Sequence, residues 1–208
     1  MAPSRDELAI RALGEPGDLG WVVMAHGELY AAEFGWDRGF EALVARIVAD
    51  YAAADDPERE AAWIAEQGGV RVGCVFCVAG EAPGTAQLRI LLVDPRARGR
   101  GLGGRLVDEC VRFARGAGYE RLTLWTNHPL VAARRVYEAR GFTLRAQEAH
   151  RSFGVELIGQ IYELELARAA DVAASVRRSK SSAGTPSTWV DAYERCPDGS
   201  SNAPERSP

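Results

Sequence analysis

The run Arg98-Gly99-Arg100-Gly101-Leu102-Gly103-Gly104 directly follows the apolar stretch Leu88–Val93 and the turn Asp94-Pro95. It opens a segment with apolar residues at Leu102, Leu106, Cys110, Phe113 and Ala117, the spacing of one helix face. The predicted unit is therefore a strand, a loop of glycines and arginines, and a helix. Backbone N–H groups at a helix start are unpaired, and the helix dipole places partial positive charge there. Glycine lets an anion approach such a backbone closely, so the loop reads as a cradle for phosphate or pyrophosphate. The alternative is an ordinary glycine-containing turn between strand and helix. Arg96, Arg98, Arg100 and Arg105 gather around the loop and suit a small polyanion.

Neither of the two common nucleotide loops fits. A Walker loop ends in Gly-Lys-Ser/Thr, which Gly103-Gly104-Arg105 does not supply. Gly99, Gly101 and Gly104 match Gly-x-Gly-x-x-Gly by letter, but they fall mid-chain after several strands instead of after the first. The 208 residues, 47% hydrophobic and 26% charged, predict one soluble globular domain of ordinary size. A net charge of −4 leaves no basic excess for nucleic-acid phosphates, and no candidate helix has the charges of a recognition helix. No apolar run approaches the roughly 20 residues that span a bilayer, and no signal-peptide pattern opens the chain. A cytoplasmic location without membrane partners is the expectation. Cys74 and Cys77 form C-x-x-C, but within a strand-like run their side chains point to opposite faces, against a disulfide or a shared metal.

Along the chain, Leu8–Leu13 predicts a first strand, and Glu15-Pro16-Gly17-Asp18 a turn ending in a helix cap. Helical spacing continues through Val22, Val23, His26 and Tyr30 with a break near Gly27, and Asp37 caps a second helix striped by Phe40, Val44, Ile47 and Tyr51. Glu60–Glu66 and Val70–Ala79 read as a hairpin, and Gln87–Val93 as a central strand. After the helix ending near Ala117 come a strand at Arg121–Thr126, a helix at Leu130–Ala139, and a strand pair at Phe142–Ala149 and Ile158–Leu166. Residues 1–167 form the expected domain. Residues 168–208 have few large apolar residues and read as a disordered tail, with Trp189 and Tyr193 as a candidate docking motif.

The run Arg98–Gly103 resembles the Arg/Gln-x-x-Gly-x-Gly/Ala signature of the GCN5-related N-acetyltransferase (GNAT) superfamily, which wraps the pyrophosphate of coenzyme A. The resemblance extends from about Leu8 to Leu166. It implies an α/β (α+β) fold with a mixed, mostly antiparallel central sheet, splayed between the fourth and fifth strands and flanked by helices. It also implies acetyl-CoA as co-substrate. Arg98, Gly99, Arg100, Gly101, Gly103 and Gly104 would hold the pyrophosphate, and the backbones of Leu91 and Val93 would pair with the pantetheine arm. Asn127, at the end of the second splayed strand, would hydrogen-bond the cofactor or the reacting carbonyl.

The implied reaction is direct attack by an amine of a small molecule or peptide, through a tetrahedral intermediate. Tyr137 matches the place of a tyrosine that protonates the leaving thiolate; a core aromatic is its alternative. His26, Tyr30 and Glu33 share a helical stripe beside the implied acceptor site, where His26 or Glu33 would be the base; the alternative is a partly buried stripe with satisfied polar ends. Tyr30, Trp36 and Ser152 would border the acceptor, and His150 lies beside Ser152.

Gly17–Val23, His26-Gly27-x-Leu29-Tyr30, Gly35-Trp36-Asp37, Leu122–Asn127 and Ser152-Phe153-Gly154 are most similar to the acetyltransferase half of bacterial proteins fused to a MarR-type winged helix. Here the first strand falls within the opening residues, with no winged helix before it, and Met24 stands where a second histidine is expected. The fold analogy allows a homodimer. A non-catalytic acyl-CoA-binding sensor is the functional alternative.

Overall fold

The computed structural model describes residues 8–166. The segment 168–208, with Trp189, Tyr193 and Cys196, lies outside them. Seven strands form one sheet: β1 (Leu8–Ala12), β2 (Ala61–Gln67), β3 (Val70–Ala79), β4 (Thr85–Val93), β5 (Arg121–Asn127), β6 (Thr143–Ser152) and β7 (Val155–Glu165). Their spatial order is β1-β2-β3-β4-β5-β7-β6, and β4–β5 is the parallel neighbour pair. Four α-helices flank the sheet: α1 (Asp18–Phe34), α2 (Arg38–Ala54), α3 (Leu102–Gly116) and α4 (Val131–Glu138). Among the described residues, no helix is long and apolar enough to cross a membrane.

The two faces of the sheet carry separate cores. Val22 of α1 and Phe40, Val44 and Val48 of α2 pack on Ile64, Cys74, Phe76 and Leu92. Leu102, Leu106, Cys110 and Ala114 of α3 pack on Val75, Cys77, Leu88, Leu122 and Leu124, joined by Tyr137 of α4. Burying each such aliphatic side chain stabilises by about 1.5–3 kcal/mol over leaving it exposed. Cys74 and Cys77 lie in different cores, as the strand period requires.

One irregularity sets the shape of the site. Leu88 and Leu92, four residues apart on β4, would share a face in a regular strand, yet they belong to opposite cores. The β3–β4 register shifts between Cys74 and Phe76, opposite Ile90, whose φ of 43° is left-handed. This bulge turns the strand over and bends it. Pairing with β5 covers Thr85–Leu88 against Arg121–Leu124 and stops there, so β4 from Arg89 and β5 from Trp125 diverge. This is the expected splay.

Several boundaries differ from the sequence reading. The N-cap of α1 is Gly17, with φ 88°, and Asp18 lies inside the helix, where its carboxylate is fully buried. The carboxylate is held by Arg11, Arg71 and the N–H groups of Gly14 and Glu15, an ion network that local capping rules do not foresee. No break occurs at Gly27. A Cβ there would sit 3.0 Å from the Glu41 carboxyl, so this glycine lets α1 and α2 approach closely. Asp37 does cap α2, its side chain accepting from Gly39 N–H at 2.8 Å. The final hairpin is longer than expected because Phe153-Gly154, with φ 56° and 81°, makes a two-residue turn of the kind that joins strands tightly. Phe153 tolerates that φ while its ring packs on Trp36 and Phe40 and its carbonyl accepts from Asp37 N–H.

Candidate active site

The divergence leaves a gap between β4 and β5, and the sequence places chemistry at each end of it. Asp94 N–H bonds Val72 O on β3, so by strand alternation the peptide groups of Val93 and Leu91 face the gap. The Val93 carbonyl accepts a bond there from Arg98 Nε, at 3.2 Å. Past β4, a 3₁₀ turn at Pro95–Ala97 leads into the glycine loop. Gly99 and Gly101 have φ of 76° and 73°, which admits glycine far more readily than any residue with a Cβ, and a Cβ at either would point into open space. No side chain caps α3, whose first bond runs from Arg105 N–H to Gly101 O at 3.1 Å. The N–H groups of Leu102, Gly103 and Gly104 therefore precede any intrahelical partner. An uncapped helix start beneath an open loop fits a pyrophosphate.

The arginines are less gathered than the sequence suggests. Arg96 closes on Asp94 at 2.7 Å, and Arg105 reaches the Leu8 carbonyl at 3.3 Å. Arg98 leans toward α1 and holds Glu33 through two bonds of 2.7 and 3.1 Å. Gly104 faces Arg140, whose guanidinium fills the place a Cβ would take and bonds Asp108. Gly104 thus packs α3 against Arg140 just beyond α4, while its N–H remains at the helix start.

At the far end, Asn127 is 1% exposed. Its Oδ1 accepts from His150 Nε2 at 3.0 Å, and its Nδ2 is buried with no partner among the described residues. A buried unmade amide donor is costly, by about 1–3 kcal/mol, so its direction at the end of β5 marks where an acceptor atom belongs. Tyr137 is 4% exposed, near Phe142 and Tyr162. Burial pushes its phenol well above the usual range, with Tyr30 and Cys110 as neighbouring titratable groups.

The α1 stripe divides differently from the expectation. His26 is buried, donates Nδ1–H to Val22 O at 2.8 Å and stacks on Tyr30. Desolvation lowers its pKa to about 4, so it is neutral at pH 7. It is sealed beneath Phe40 of α2, which removes it from direct contact with an acceptor. Glu33 is engaged by Arg98, which leans across from the glycine loop. Trp36 is also buried, enclosed by Tyr30, Phe34, Phe40 and Phe153, and shapes the wall from behind. Tyr30 is half-buried, and its phenol is pushed up by burial. Ser152 lies beside His150, their Oγ and Nδ1 3.0 Å apart. The Asn127–His150 link was missed in the sequence, although residues 150 and 152 share a strand face at period two.

Buried neutral His26 makes a pH prediction. Its folded pKa lies below the unfolded value near 6.5, so the unfolded chain binds the extra proton between pH 6.5 and 4. The stability is complete above about 6.5 and falls by about 3 kcal/mol as pH drops to about 4. Urea midpoints measured across that window should fall for the parent chain and fall less for His26→Phe.

The comparisons with known proteins agree with this geometry. The family model described as Acetyltransferase (GNAT) family matches residues 24–142. An uncharacterized N-acetyltransferase of Schizosaccharomyces pombe is 30% identical over 142 residues, covering 68% of this chain and 85% of that protein. A mycothiol acetyltransferase of Beutenbergia cavernae is 38% identical over 71 residues, but the match spans 34% of this chain and 23% of the relative. An acetyltransferase of Salmonella typhimurium, solved with acetyl-CoA, superposes with a TM-score of 0.64 at 21% identity, covering 78% and 96% of the two chains. This chain belongs to the acetyltransferase (GNAT) family, enzymes that take their acetyl group from acetyl-CoA.

Proposed function

We propose that the chain is an N-acetyltransferase that moves the acetyl group of acetyl-CoA to an amine of a small molecule or peptide by direct attack. The observation that carries this reading is the β4–β5 gap, with uncapped amides of α3 at one end and the unpartnered Asn127 amide at the other. Acetyl-CoA supplies an activated thioester. Backbone groups of Leu91 and Val93 pair with its amide-bearing arm as a strand edge would. The amides of Gly99, Gly101, Gly103 and Gly104, with Arg98 and Arg100, hold the pyrophosphate. Arg98 reaches it by leaving Val93 O or Glu33.

Asn127 Nδ2 donates to the acyl end, and Tyr137 protonates the departing thiolate. Tyr30 and Ser152 border the acceptor, while Trp36 and His26 form the packed layer behind them. The motifs shared with the acetyltransferase half of MarR fusions support a bacterial, cytoplasmic enzyme acting on free amines without nucleic acid, with a homodimer as the assembly suggested by fold analogy.

Thiol release from acetyl-CoA, measured against spermidine, kanamycin, the amino acids and short peptides with free N-termini, tests the reading. Amine-dependent release is expected. Calorimetric binding of acetyl-CoA without release to any amine would make the chain a sensor of acyl-CoA. With neither binding nor release, the pyrophosphate assignment itself falls.

A further inference from the structure

Three side chains form a hydrogen-bonded row beside the gap. His150 of β6 reaches across β7, its Nε2 3.0 Å from Asn127 Oδ1 and its Nδ1 3.0 Å from Ser152 Oγ. The backbone below is cleared for this crossing. A Cβ on Gly159 would come within 2.9 Å of the Trp125 indole nitrogen and 3.2 Å of His150 Nε2. The Trp125 and His150 rings lie 5.7 Å apart, so the imidazole is held between an indole and a fixed amide.

The hydrogen-bond directions assign a tautomer. The Asn127 carbonyl oxygen accepts only, so His150 carries its proton on Nε2 and presents a bare lone pair at Nδ1. Ser152 Oγ–H donates to that lone pair, and a hydroxyl that donates its proton accepts through its oxygen. Asn127 therefore has two connections: its oxygen fixes the imidazole, and its unpartnered Nδ2 lies at the end of β5 where the strands have parted.

We infer that Asn127, His150 and Ser152 are the proton relay that deprotonates the acceptor amine, with His150 as the base, Ser152 as the group touching the amine, and Asn127 as the positioning residue. The inference rests on the acetyl-transfer reading above. An ammonium gives one proton to Ser152 Oγ as the Ser152 hydroxyl proton passes to His150 Nδ1, and the imidazolium returns that proton to water. The free amine then forms the C–N bond as the C–S bond breaks. Tyr137 protonates the departing thiolate, and the second N–H proton leaves the new amide nitrogen for water, from which Tyr137 is reprotonated, giving amide and thiol.

Glu148 of β6 and Glu156 of β7 act on His150, Glu156 being paired with Arg151 at 3.2 Å, while β5 contributes the neutral Trp125 and Asn127. Burial outweighs both carboxylates and holds the imidazole below its usual pKa, neutral at pH 7. The relay takes its first proton from an amine that arrives as the ammonium.

The test uses the full chain and whichever amine of the panel is acetylated fastest. In His150→Gln the amide still donates to Asn127 but takes no proton. Its kcat should fall about 10²-fold, the inflection of kcat/KM below pH 6.5 should vanish, and calorimetric acetyl-CoA affinity should stay within about twofold. Ser152→Ala, a smaller change at a half-buried hydroxyl, should lose at least about tenfold in kcat with the same affinity. An unchanged acid inflection in His150→Gln, or full activity in Ser152→Ala, overturns the relay alone. Absence of thiol release from the parent chain with every amine overturns the acetyl-transfer reading and the relay together.

Discussion

Tyr137→Phe should lower kcat about 10³-fold while leaving acetyl-CoA affinity and thermal stability nearly unchanged. The hydroxyl forms no hydrogen bond among the described residues, so its removal orphans no partner, and the ring keeps its neighbours Phe142 and Tyr162. A structural role would predict the reverse pattern, a lower melting temperature at constant turnover. Burial fixes the phenol in its protonated form across the physiological range, so it serves as a donor and never as a base. The same desolvation raises the neighbouring Cys110 thiol, which is pushed up by burial. A thiolate leaving into such surroundings is a stronger base than in water, which keeps donor and acceptor matched. Single-turnover thiol release and calorimetry on one preparation separate these quantities. A kcat within threefold of the parent would remove Tyr137 from the chemistry.

Asp18→Ala should cost about 3–5 kcal/mol of folding stability, enough to unfold many domains of this size. The parent carboxylate, with no exposed surface, receives Arg11 through bonds of 2.8 and 3.0 Å and Arg71 at 2.7 Å. It also receives the N–H groups of Gly14 and Glu15 at 3.0 and 2.9 Å. Deletion removes the shared partner of Arg11 and Arg71, which keep only Glu66, Glu15 and backbone carbonyls. It also strips the Gly14 and Glu15 amides of their acceptor where β1, β3 and α1 meet. These bonds hold the Asp18 carboxyl far below the ordinary carboxylate range. Its contribution is therefore present above the unfolded pKa and is lost only as pH falls through the depressed folded value, in strong acid. Urea unfolding at pH 7 measures the loss, and a change under 1 kcal/mol would show that the network contributes little.

Local signals in the sequence were good guides wherever one residue type settles one geometry. Asp37 capped its helix, and Val70–Ala79 formed its strand at the expected bounds. The stripe through His26, Tyr30 and Glu33 was legible as a helix face. Which end would be sealed was not, because that depends on Phe40 arriving from α2. The bulge at Ile90 left no mark in an apolar run that reads as continuous, since a bulge is a mismatch between two strands and neither sequence alone contains it. The pairings that define the site join distant positions, Glu33 with Arg98 and Asn127 with His150. No spacing rule reaches across 65 or 23 residues.

An ordinary sheet ends in two outer edges, where unpaired peptide groups invite other chains to add strands and aggregate. The bulge at Ile90 gives this sheet a third edge, but places it in the interior, with α1 and α2 over one face and α3 over the other. A folded neighbour has no route to pair there. Under the proposed pairing with Leu91 and Val93, a slender arm carrying amides would enter instead. Selection between a harmful and a useful partner is thus made by width before any side chain is consulted, and it follows from one left-handed residue in the middle of a strand.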